Sequence, residues 1–223
     1  MKKILIAAVV FSLVSTVFAE PPKRVFTAVN LQPQGNRKLE DDQGGGRPGT
    51  DLKALPIGLK AYGEVEFKVG EKLIQLGSTQ LENLPELIEG IEVGKLAPKL
   101  HFLHATCWGG GGGGVEDGTL IGEYRVNFED RSAVIFPIIY GVDVCDWFHW
   151  ETDANPTQGK VVWEGNNELS TSVGAEQIQL YLTSWDNPWP NKKVTYIDYY
   201  SNKSETIAAP FCVAITIEGK TAP

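Results

Sequence analysis

From Leu55 onward, apolar and polar residues alternate over short runs, and turn-forming residues recur between those runs. Residues 64–69 place Val65, Phe67 and Val69 on one face of an extended segment. Residues 120–128 put Tyr124, Val126 and Phe128 on one face and Glu123, Arg125 and Asn127 on the other. Similar short runs predict strands over 72–76, 99–106, 160–164, 175–185 and 194–200. A strand over 211–218 is expected to carry Phe211, Val213, Ile215 and Ile217 on a single face. Residues 133–140 are apolar on both faces, which predicts a central strand with Pro137 marking a bulge or bend. Glu129, Asp130, Arg131 and Ser132 form the hairpin turn before it. Residues 81–88 read as one helical turn or, given Pro85, as a loop, and residues 91–93 lead into strand 99–106. No helical period is sustained and no internal repeat is present. The expected class is all-β, an antiparallel β-sandwich or jelly roll.

The first residues change the picture by giving an address. Lys2 and Lys3, the apolar run 4–13 and Val17-Phe18-Ala19 have the layout of a secretory signal peptide. The apolar run is too short for a membrane span, and no cysteine adjoins Ala19 to carry a lipid. Cleavage after Ala19 would leave residues 20–223 as a single exported β-sandwich domain, periplasmic or extracellular, with no membrane span after signal removal. Its opening segment, 20–50, is rich in Pro, Gly, Asn and charge, and 43–49 must be loop. The formal net charge is −8 and no basic stripe is present, so the chain is a poor candidate for nucleic acid or anionic membrane surfaces, and no nucleic-acid partner is expected.

Candidate chemistry is sparse. His101 and His104 are three apart on an expected strand, so they point to opposite faces and cannot share one metal ion. Asp143, Asp146, Glu151 and Asp153 gather around Trp147, Phe148 and Trp150. A glycosidase needs two such carboxylates across a sugar, but acids capping turns have the same composition. There is no G-x-S-x-G motif, and no Lys-Ser or Lys-Thr follows the glycines 109–114, so neither a nucleophile elbow nor a phosphate cradle is indicated. No catalytic residue is assigned. All six tryptophans lie between Trp108 and Trp189. Trp163 and Trp147 are expected in the core. Trp150, Trp185, Asp186, Asn187 and Trp189 combine flat rings with an acid and an amide in or beside loops, the combination that binds sugars, or else a loop folded over the end of the sandwich.

Several motifs then occur in a definite order. Asn36-Arg37-Lys38-Leu39 with Asp41 and Asp42 precedes the glycine-rich loop, and Asp51-Leu52 and Leu55-Pro56-Ile57-Gly58 follow it. Next come Gly63-Glu64-Val65-Glu66-Phe67, Ile74-Gln75-Leu76-Gly77 and Leu100-His101-Phe102-Leu103-His104-Ala105-Thr106. Gly122-Glu123-Tyr124-Arg125-Val126 and Tyr140-Gly141-Val142-Asp143-Val144-Cys145-Asp146-Trp147 complete the series. This order resembles the galactose-binding-like jelly-roll domains, carbohydrate-binding-module in type, of secreted bacterial proteins. The resemblance covers nearly the whole chain after the signal. It departs from the family in the length of the glycine run and in Cys145, where such domains favour a polar, basic residue.

The resemblance implies a galactose-binding-domain-like fold and a non-catalytic recognition role whose partner is a glycan. A structural or protein-interaction domain bound to an envelope protein is the alternative, and a secreted glycosidase using Asp146, Glu151 or Asp153 comes last. It also implies a possible structural calcium at an edge loop, for which Asp41, Asp42 and Asp51 are the candidates. No other cofactor is expected. Three cysteines allow one bridge, and Cys107 and Cys145, each at a strand end beside a tryptophan, are the expected disulfide. Cys212, inside an apolar run, is expected to be a core thiol.

Overall fold

A computed structural model describes residues 23–110, 114–175 and 177–220. The expected signal peptide lies outside them. In chain order the strands are β1 (Arg24–Val29), β2 (Arg37–Lys38), β3 (Gly58–Tyr62), β4 (Val65–Val69), β5 (Lys72–Gln75), β6 (Leu87–Leu96) and β7 (Lys99–Cys107). They continue as β8 (Leu120–Phe128), β9 (Ala133–Ile139), β10 (Phe148–His149) and β11 (Lys160–Gly165). The short helix α1 (Glu168–Val173) precedes β12 (Gln177–Asp186), β13 (Lys193–Ser201) and β14 (Ala209–Lys220).

Every pairing between these strands is antiparallel. One sheet runs β10-β12-β7-β14-β5-β2, with β1 added to β14 and β11 added to β12. A second runs β6-β13-β8-β9, and β3 and β4 form a separate hairpin. The two large sheets pack face to face through aromatic rings. Phe102 of β7 stacks on Tyr124 of β8 at 4.1 Å between centroids, and Tyr124 stacks on Tyr199 of β13 at 4.5 Å. The hairpin covers the other face of β14, where the Thr216 hydroxyl donates to the Glu66 carbonyl at 2.9 Å. There Val65, Phe67 and Val69 are all buried, as the alternation of β4 requires.

Three strand assignments differ from the sequence-based expectation. The segment 133–140 is an edge strand, not a central one: β9 pairs with β8 alone. That position tolerates Pro137, which has no N–H to give to a further neighbour, and it leaves Ile135 53% exposed. Residues 91–93 are the middle of a ten-residue strand, β6, that begins at Leu87. In β14 the register shifts between Cys212 and Ala214. Phe211 therefore pairs with Ala105 and Ile215 with Phe102, which places Phe211 and Ile215 on opposite faces of the sheet.

The two β7 histidines also project to opposite faces. His101 contacts the Ser184 hydroxyl through Nδ1 at 2.7 Å and the Glu218 carboxylate through Nε2 at 2.9 Å. His104 lies between the sheets in an ordered chain of hydrogen bonds. The Thr183 hydroxyl donates to the Asp143 carbonyl at 3.0 Å, so it accepts from His104 Nε2 at 2.9 Å. Nδ1 of His104 is then the acceptor for the Tyr124 hydroxyl at 3.3 Å. Burial holds this imidazole neutral, with its pKa pushed down to about 3.

Candidate functional site

The site forms where β7 ends. Thr106 bridges to Asp146, and the Trp147 N–H donates to the Thr106 carbonyl at 2.9 Å, so the 140–150 loop is tied to the strand's last residues. Trp108 then turns the chain with φ of 63°, a left-handed conformation that costs a non-glycine residue about 1–2 kcal/mol. The turn aims the next two backbone N–H groups at Asp146. Its Oδ2 accepts from Gly109 N at 2.6 Å and Gly110 N at 2.8 Å, and its Oδ1 accepts from Phe148 N at 2.9 Å. Gly109 is required by close approach, because a Cβ there would stand 2.3 Å from Tyr140 Cε2. Burial pushes the Asp146 pKa up to about 6, against the opposing pull of those three N–H groups.

Two cavities of about 390 and 310 Å³ adjoin here and share Gly110, Asp146 and Phe148 as lining. The larger is polar, with Asp117, His149 and Asp153 on its walls. The smaller is mainly aromatic and aliphatic, walled by Trp108, Trp147, Phe148, Trp150, Leu169 and Val173, with Arg47 at its side. Phe148 and Trp150 lie ring to ring at 6.0 Å. The turn after Trp150 is closed by Asp153, whose Oδ2 accepts from Trp150 N at 3.0 Å.

The opposite wall comes from the glycine-rich loop 43–50. Asp42 Oδ1 accepts from Gly49 N at 2.9 Å and Thr50 N at 3.2 Å, and the Thr50 hydroxyl donates to the Arg47 carbonyl at 2.7 Å. These bonds close the loop and set the Arg47 guanidinium 4.5 Å above the Trp108 ring. Helix α1 supports the loop from behind. Its N-cap Asn167 donates to the Asp51 carbonyl at 3.1 Å, and Leu169 N donates to the Gly49 carbonyl at 3.1 Å.

The five residues expected to bind a ligand are divided between two ends of the molecule. Trp150 follows β10, which pairs with the first residues of β12, whereas Trp185 and Asp186 are the last two residues of β12. A ten-residue strand puts about 30 Å between those ends. Trp185 is half-buried and stacks toward Phe136 at 6.3 Å. Asp186 pairs with Lys99 at 3.1 Å. Asn187 is buried in the turn, donating to the Ala97 carbonyl at 3.0 Å and accepting from Trp189 N at 2.8 Å. Trp189 rests against Phe128, with the Lys192 ammonium 4.1 Å from its ring centroid. Only Trp150 of the five belongs to the cleft.

Among the described residues no cluster of three His, Cys, Asp or Glu side chains is placed to hold a metal ion, and Asp41, Asp42 and Asp51, the calcium candidates, stand in local contacts. Asp41 accepts from Lys38 N at 2.8 Å, Asp42 closes the Arg47 loop, and Asp51 binds Lys53 through N at 3.1 Å and Nζ at 2.6 Å. Cys107 and Cys145 are not bridged: these two and Cys212 are free, buried thiols. Because Thr106 stands opposite Asp146, Cys107 lies one residue beyond that pair and Cys145 one residue before it. Such a parallel offset separates the Cα atoms by roughly 8 Å, out of disulfide reach. Cys107 Sγ instead faces Gln75 Nε2 at 3.4 Å, and Cys145 Sγ the Ala154 carbonyl at 3.5 Å.

Sequence reasoning missed Arg47 and Trp108. Trp108 carried a signal, standing between the end of a strand and a glycine run. Arg47, one charge inside a run of glycines and a proline, carried a weaker one. Helix α1 was missed too, though Asn167 with Ser170 is a capping box and Gly174, at φ of 74°, is a C-terminal stop. Comparison with protein-family models, curated proteins and solved structures finds no match.

Proposed function

We propose that this protein is an exported, non-catalytic recognition module of the galactose-binding-like jelly-roll type, and that it binds carbohydrate in the Trp108–Trp150 cleft. The observation that carries the reading is the cleft's make-up. Tryptophan faces and aliphatic side chains form its walls, and a small number of polar groups stand at fixed positions. Aromatic rings cover the apolar face of a pyranose while donors and acceptors take its hydroxyls. The antiparallel two-sheet architecture and the motif order support the jelly-roll assignment. A recognition role fits the acids of the cleft better than hydrolysis does. The Asp146 carboxylate is engaged by three backbone N–H groups and that of Asp153 by Trp150 N, so both are already used in holding the loop.

Calorimetric titration of the purified protein with a panel of oligosaccharides tests this, with Trp150→Ala and Trp185→Ala as paired variants. Binding abolished by Trp150→Ala and retained by Trp185→Ala is the expected outcome. No binding to any glycan would favour the second reading, a structural or protein-interaction role in the envelope. The internal satisfaction of the turn at Asn187 and Trp189 already suits that role at the other end. Turnover of a polysaccharide would revive the glycosidase reading.

A further inference from the structure

In the smaller, aromatic cavity the side-chain polar groups left over are donors, and one carries a charge. Among the described residues the Arg47 guanidinium enters none of the ion pairs, which engage Arg24, Lys38, Lys53, Lys99, His101 and Lys192. Its contact is the Trp108 ring, and its side chain is exposed at the cleft's side. The Trp108 Nε1 donor is buried and has no hydrogen-bond partner among the described residues. An indole N–H can only donate, so whatever satisfies it must accept. Asp146, the acid of the smaller cavity, does not serve: its oxygens are directed to Gly109, Gly110 and Phe148. The loop that carries Arg47 is itself closed by Asp42 and Thr50, so the guanidinium is presented from a braced support.

Resting on the reading of this cleft as a carbohydrate site, we propose that its ligand is an acidic sugar whose oxyanion is received by Arg47 and Trp108 Nε1 while the sugar ring packs on Trp150. A guanidinium stacked on an aromatic plane keeps its edge free for a planar or tetrahedral oxyanion, which it binds through paired N–H groups. The requirement is local. The chain as a whole is acidic, at −8, and offers no general attraction for anions.

The test is calorimetric titration of the purified protein with three probes: a galacturonate hexasaccharide, a neutral galactose hexasaccharide and a sulfated galactan of similar length. The acidic probes are expected to bind at least tenfold more tightly than the neutral one. Arg47→Gln should remove that advantage, bringing the acidic probes to the affinity of the neutral one, and Arg47→Lys should restore only part of it. Trp150→Ala should weaken all three. Preference for the carboxylate or the sulfate probe would assign the oxyanion's source, and either upholds the proposal. Equal binding of neutral and acidic probes, unaffected by Arg47→Gln but lost in Trp150→Ala, would overturn it and leave the carbohydrate site standing. Acidic binding unaffected by either substitution would place the ligand elsewhere and overturn it. Failure of all three probes to bind would overturn both it and the reading beneath it.

Discussion

Asp146 and His104 show how burial alone gives two residues opposite dependences on pH. The Asp146 carboxyl titrates near pH 6 in the folded protein and near 4 when unfolded, so the folded state binds the extra proton between those values. Its contribution to stability therefore rises as pH falls from 6 to 4, by up to about 3 kcal/mol. His104 is depressed to about 3, below its unfolded value of about 6.5. Its contribution is complete above pH 6.5 and is lost as pH falls toward 3, by up to about 5 kcal/mol. His101, also lowered by burial, shares that direction. Between pH 6 and 4 the Asp146 and His104 slopes oppose each other. Asp146→Asn removes the compensating one, so its unfolding free energy from urea titration should fall faster than the parent's over that range, by about 1.4 kcal/mol per pH unit. His104→Gln should fall more slowly than the parent. Parallel curves for all three proteins would refute the assignment of these shifts to burial.

At the scale of the element, the cleft depends on how β7 stops and on what braces the loop facing it. Trp108 and Gly109 make the stop together, the first by adopting a left-handed turn, the second by lacking a Cβ beside Tyr140. Gly109→Ala should force that ring aside and cost about 1–3 kcal/mol in chemical unfolding. A variant as stable as the parent would mean that Tyr140 moves freely. The brace is α1, six residues long and too short to persist without its cap. Asn167→Ala loses the bond from Ser170 N and the bond to Asp51, and should cost about 1 kcal/mol. Because Leu169 and Val173 wall the cleft, it should also weaken ligand binding. Unchanged binding in a destabilised protein would show that the wall holds without the helix. These elements were unequally legible. β4 and β8 were read correctly because a strand half-buried on one side must alternate. The edge position of β9 and the reversal within β14 were not, because neither a strand's neighbours nor a one-residue bulge leaves a mark on the hydrophobic pattern.

Across the whole molecule, one sheet carries its aromatic loops at two ends, and the long strands keep them apart. That distance decides the fate of the tryptophans, whereas enclosure decides that of the sulfurs. The thiols of Cys107, Cys145 and Cys212 are enclosed, and burial raises each pKa, to about 12 for Cys145 and Cys212. Thiols so protonated and covered react slowly. Ellman's reagent should therefore find no reactive thiol in the native protein and three after denaturation, and a reductant should leave the melting temperature unchanged. A melting temperature that falls on reduction would indicate a bridge.

Alternation, turn residues and charge determined by themselves that this is an antiparallel all-β protein with an acidic surface, because those properties depend on neighbours in the chain. They also singled out Trp150, since an aromatic among acids beside a loop is a local pattern. Which tryptophans share a cleft was decided only by tertiary structure. The same holds for Arg47, which meets Trp108 across a sequence distance no local pattern spans, and for Asp146, which is capped by glycines far upstream. The bonds in question join strand ends and loops that only sheet pairing brings together, and the pairing follows from the burial of two faces at once.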